Sequence, residues 1–172
     1  MKTTAKRSED RALRRAFGYH DRRTFQRLEN LSVALRHLGF QGKSVRGRNL
    51  KAASEALDVF EAGFLDHMRR EELYLFPYLE THLPKIEPLV ALLLAEHEDL
   101  RNCVRTFHTL LLRLRQAPRA APEILEIIRE RSTYFSCLLH SHHWAELEMV
   151  GKTAQKELKA DEKKALTKIL RN

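Results

Sequence analysis

Each of the three breaks in an otherwise helical chain lies midway between two histidines. The midpoint of His20 and His67 falls at 43–44, inside the glycine-rich stretch Gly39–Arg48. That of His67 and His97 is 82, in Thr81-His82-Leu83-Pro84, and that of His97 and His142 falls at 119–120, inside Ala117–Pro122. In an antiparallel helical hairpin, residues equidistant from the turn lie at one height, because each residue rises a fixed ~1.5 Å. An up-down-up-down four-helix bundle would therefore bring all four histidines to a single level. Two of them are followed one turn on by a carboxylate, in His67-x-x-x-Glu71 and His142-x-x-x-Glu146. Residues four apart share a helix face. Six side chains, His20, His67, Glu71, His97, His142 and Glu146, are thus expected to converge in the core. Four imidazoles and two carboxylates from facing helices suit a pair of iron ions.

The rest of the sequence agrees with an all-α chain. Period-3.6 apolar stripes accompany each histidine: Leu13, Phe17, Leu31 and Leu38 with His20, and Phe60, Phe64, Tyr74 and Tyr78 with His67. Val90, Leu93, Leu94, Leu100, Val104 and Leu111 accompany His97, and Phe135, Leu138, Leu139 and Met149 accompany His142. The first helix is expected from about Arg11 to Leu38, stopped by Gly39 and Gly42. The second starts near Asn49 and is kinked or ended by Pro77. The third begins near Pro84 or Pro88 and the fourth at Pro122, with Gly151 as a stop. Residues 1–151 read as the bundle. Residues 152–172, with the sparse anchors Leu158, Leu166, Ile169 and Leu170, read as a short helical extension packed on it. Tyr74 reads as a core residue, and Cys103 and Cys137 as packing residues.

Composition narrows the function classes. The amino terminus is polar and the longest apolar run, Leu89–Ala95, is too short to cross a membrane. The two cysteines form no C-x-x-C pattern, so a reduced cytoplasmic protein is the simplest expectation. The net charge of +8 owes much to Arg11, Arg14, Arg15, Arg22, Arg23 and Arg27. No recognised nucleic-acid-binding motif accompanies them, and the expectation is a solvated basic face and not nucleic-acid binding. Ferritin-like sites use Glu-x-x-His, and no histidine here has Glu three residues before it. A structural zinc site closes with four ligands, so six converging donors argue for iron or manganese over zinc.

These residues resemble the hemerythrin-like, or HHE cation-binding, domain family. The resemblance is carried by His20-Asp21, the run from His67 through Glu71-Glu72 to Phe76-Pro77, Glu96-His97-Glu98, and His142 with Glu146. It implies a four-helix bundle holding two oxo- or hydroxo-bridged irons, with Glu71 and Glu146 bridging and the four histidines as terminal ligands. Dioxygen carriers of the family have a second histidine one turn after the third-helix histidine, where this chain has Arg101. The set is therefore His4Glu2, more similar to the branch linked to nitric oxide stress and iron-sulfur cluster repair. The cysteine-bearing segment of the repair proteins is missing here. Arg101 is expected beside a carboxylate such as Glu71 or Glu146. The resulting expectation is a protein that binds or senses a small gas or oxidant, dioxygen or nitric oxide. The alternative is a di-iron oxidoreductase or iron donor in nitric oxide or peroxide stress. Turnover would need an external reductant or protein partner, since no flavin, nicotinamide or iron-sulfur motif is present.

Overall fold

The computed structural model describes residues 11–13, 22, 24–38 and 46–171, and among them every regular element is helical. His20, Phe17 and the turn glycines Gly39 and Gly42 lie outside the described residues. Helix α1 is described over 24–38. It is followed by α2 (Arg46–Arg70), a π-helical turn at Glu71–Leu75, α3 (Phe76–His82) and a 3-10 turn at Pro84–Ile86. Then come α4 (Glu87–Gln116), a 3-10 turn at Pro118–Ala120, and α5 (Ala121–Trp144). A second π-helical segment at Ala145–Gly151 leads into α6 (Lys152–Glu157) and, after a break, α7 (Ala160–Arg171). Helix α4 opens on Glu87 and closes on Arg113 and Arg115, charges that complement its dipole at both ends.

Three boundaries differ from the sequence expectation, for identifiable reasons. Pro77 does not end the chain's helical path, which continues through α3. The π turn before it widens the backbone, with the Phe76 N–H bonded to the Glu71 carbonyl five residues back. That accommodates a proline ring that would otherwise press on the carbonyl four residues earlier. Gly151 is not a stop: its backbone is helical (φ −61°, ψ −43°), and the helix runs on to Glu157. The break comes at Leu158, which is extended (ψ 144°). Helix α2 also begins three residues before Asn49, at Arg46.

The chain forms two compact units. One comprises Asp66–His97 and His140–Asn172 with the segment carrying Leu13; the other comprises Thr24–Leu65 and Glu98–Leu139. In the first, Leu13, Phe76, Leu79, Val90, Leu93 and Val150 belong to one buried apolar cluster, joined by Leu166 and Leu170 of α7. Helix α7 packs on the π turn at Glu71–Leu75. Its start is secured by Glu162, whose carboxylate accepts the Lys159 N–H at 2.7 Å and whose carbonyl accepts the Tyr78 hydroxyl at 2.9 Å. The first of these bonds is the backward half of a capping box.

In the second unit the core is aromatic. Phe60, Phe64, Phe107 and Phe135 are all buried, and Phe135 meets Phe60 and Phe107 edge to face at centroid distances of 5.5 and 5.6 Å. Asn49 donates to the His37 carbonyl at 3.0 Å, tying α2 to the end of α1.

Candidate metal centre

The two π-helical segments sit on the two histidine-to-glutamate steps. One begins at Glu71 and the other one residue before Glu146. Both glutamates are buried, at 0% and 3% exposure, as are His67, His97 and His142. Taking ionised carboxylates out of water costs several kcal/mol each unless positive charge meets them.

The donor atoms converge. His67 Nε2 is 3.1 Å from Glu71 Oε1, and His97 Nε2 is 3.3 Å from Glu71 Oε2. His97 Nε2 and His142 Nε2 face each other at 3.1 Å, and His142 Nε2 is 3.8 Å from Glu146 Oε2. These contacts fall into two donor groups suited to a cation, Glu71 with His97 and His142, and His67 with Glu71 and Glu146. Glu71 belongs to both, one oxygen turned to His67 and the other to His97. Glu146 belongs to the second group and also approaches His142 of the first.

Two further carboxylates stand behind the rings. Glu72 Oε1 is 2.7 Å from His97 Nδ1, and Glu96 Oε2 is 2.9 Å from His142 Nδ1. A carboxylate only accepts, so both Nδ1 atoms donate. In neutral imidazoles this leaves two Nε2 lone pairs facing each other and a carboxylate. Burial, and next the neighbouring His97, hold the His142 imidazole below its usual range, which favours the neutral form. Three mutually repelling acceptors at 3.1–3.3 Å are reconciled by a cation among them. With a metal–donor distance of about 2.1 Å, donors at right angles are ~3.0 Å apart, so the spacing fits an ion's coordination shell. Phe76 stacks against the His97 ring at 5.6 Å and holds its plane.

Of the six sequence candidates, His67, Glu71, His97, His142 and Glu146 are brought together, and His20 lies outside the described residues. His140, beside His142, is exposed. The buttressing roles of Glu72 and Glu96 were not read from the sequence. Each adjoins a candidate ligand in the chain, and that adjacency was the available signal. Several side chains depart from their expected places. Tyr74 and Met149 are exposed, because each lies within a π-helical segment whose wider turn rotates the helix face away from its α-helical phase. Leu94 is also exposed, and Leu93 takes the inward position. Cys103 is buried but Cys137 is exposed. Arg101 is partly buried, and one carboxylate set beside it is that of Glu98, with Nη1 3.7 Å from Oε2.

A model of the family described as the hemerythrin HHE cation-binding domain matches residues 15–126. The chain belongs to this family, an all-helical class whose domain binds metal cations, typically iron. The match ends before His142 and Glu146, so the contribution of α5 and its π segment is argued from the geometry above. A comparison with curated proteins gave no match. Among the described residues, no helix is long and apolar enough to cross a membrane.

Proposed function

We propose that the chain is a non-haem di-iron protein that binds or senses a small oxidant, dioxygen or nitric oxide, within an up-down-up-down four-helix bundle. His67, Glu71, His97, His142 and Glu146 would hold the two ions, with His20 as the sixth ligand. The observation that carries this reading is the pair of imidazole Nε2 atoms 3.1 Å apart, each with its Nδ1 bound to a carboxylate, beside a glutamate shared between two donor groups. When bound, the ions supply Lewis acidity and one-electron redox chemistry toward a small oxidant.

The chain's own residues prepare that chemistry. Glu72 and Glu96 hold the Nδ1 protons of His97 and His142 and keep the Nε2 lone pairs turned inward. Phe76 blocks rotation of the His97 ring. The apolar cluster of the same unit keeps water from the carboxylates. Position 101 holds an always-charged guanidinium that cannot ligate, so it would add no further protein donor and would leave room for an external ligand.

The test is metal analysis with an optical spectrum of protein purified under low oxygen. Close to two irons per chain and near-ultraviolet charge-transfer absorption are expected. A single tetrahedral zinc, or manganese in place of iron, overturns the assignment. Reversible spectral change with dioxygen or nitric oxide, without consumption, distinguishes the sensor from an oxidoreductase. Consumption of nitric oxide or peroxide with an added reductant, or iron release, supports the alternative.

A further inference from the structure

The second unit carries a groove of about 740 Å³ that the metal chemistry does not use. Its floor is apolar, formed by Leu35, Leu125 and Ile128. The volume lies within the range of small-molecule sites, which combine apolar walls with a few polar groups.

The donors in this groove are unevenly committed. The hydroxyls of Ser132 and Thr133 are turned back onto the carbonyls of Ile128 and Arg129. The Arg129 guanidinium is held by Glu126 through two hydrogen bonds, one of them from Nε at 3.1 Å. Arg46 is different: its Nε lies buried at the groove with no hydrogen-bond partner. A buried donor left unsatisfied is unfavourable, and more so on a charged group. Arg46 is also the first residue of α2, whose first turn contains no acidic residue. The positive end of that helix dipole and the Arg46 charge therefore add where they would ordinarily be offset. Arg36 supplies a second guanidinium at the exposed edge of the groove.

We propose that this groove binds a single-chain amphiphile with a carboxylate head, such as a medium-chain fatty acid. The head accepts hydrogen bonds from Arg46, and the alkyl tail lies along Leu35, Leu125 and Ile128. An inorganic anion would leave the apolar floor bare. A neutral apolar molecule would leave the Arg46 donor unmet. The charge and the apolar area together select a molecule that has both.

The test is calorimetric titration of the full chain with sodium dodecanoate, alongside acetate and dodecyltrimethylammonium at equal concentration below micelle formation. Saturable one-to-one binding of dodecanoate is expected, with neither comparison ligand matching it. Arg46→Ala should weaken the affinity about tenfold, the effect of one charge-assisted hydrogen bond. Thr133→Trp, at an exposed lining position, should block binding sterically while circular dichroism reports an intact fold. It keeps the test decisive if Arg46→Ala fails to fold. Absence of saturable binding, equal binding of the cationic amphiphile, or affinity unchanged by Thr133→Trp overturns the proposal.

Discussion

At the scale of single residues, His97 and His142 are each held from both sides of the ring. One nitrogen faces the donor cluster and the other faces Glu72 or Glu96. Replacing either carboxylate with an amide keeps the size but removes the charge that favours the Nδ1–H tautomer. Glu72→Gln and Glu96→Gln are each expected to retain iron but to weaken its retention against a chelator by about 10–100-fold. Retention equal to wild type in both would show that the carboxylates do not position the rings. Tyr78 gives a pH-dependent counterpart. Burial first, and then the charges of Glu162 and Asp161, raise its phenol above the usual range of 10.0. The folded protein therefore favours the neutral phenol, which donates to the Glu162 carbonyl. Its contribution is intact below the ordinary phenol range and lost as pH rises through the raised value. In a spectrophotometric titration Tyr78 should ionise above the ordinary phenol range, and Tyr78→Phe should delete that late phase. Persistence of the late phase in the variant would assign it elsewhere.

At the scale of the element, the π turns are where sequence periodicity and structure part. A 3.6-residue period carries the face of α2 correctly through Phe60, Phe64 and His67, all buried. The same period continued past Glu71 puts Tyr74 inward, whereas the wider turn leaves it 59% exposed. Pro77 was legible as a disturbance, but its effect was a widened turn before it and not an end to the helical path. Helix α2 offers a test of ordinary helix energetics at Gly63. A methyl group there would run into the Arg27 guanidinium, the far end of a flexible side chain. The gain in helix propensity is about 1 kcal/mol, and a side-chain shift of Arg27 is expected to cost less. Gly63→Ala should therefore leave thermal stability unchanged or raise it. A clear fall in melting temperature would mean that Arg27 is fixed in place.

At the scale of the whole molecule, the donor cluster lies within one compact unit, Asp66–His97 with His140–Asn172, and the aromatic core within the other. A ligand bound only by the folded state stabilises the structure that holds it. Removing iron with a chelator should lower the melting temperature. It should also reduce hydrogen-exchange protection more in residues 66–97 and 140–171 than in 98–139. Equal loss across both stretches, or none, would argue against a metal centre confined to the first unit. The C-terminal helix α7 should share the loss, because it packs on the π turn that begins at Glu71.

The sequence by itself determined the helical class and pointed to five side chains that the structure brings together, His67, Glu71, His97, His142 and Glu146. Both follow from local rules: apolar period, turn residues midway between histidines, and carboxylates one turn after His67 and His142. It also carried the family membership, since the His67-to-Pro77 run and Glu96-His97-Glu98 lie inside the matched stretch. Tertiary structure decided what depends on residues distant in the chain. It turned Glu72 toward His97, 25 positions away, and Glu96 toward His142, 46 positions away. It placed α7 against the π turn, and bonded Tyr78 of α3 to Glu162, 84 positions away. It left Arg46 Nε without a partner over an apolar floor. A helix's period is a property of its own backbone, and so is written in neighbouring residues. The partner of a side chain, and the width of a turn that must seat a buried carboxylate, are set by packing against segments that no local pattern names.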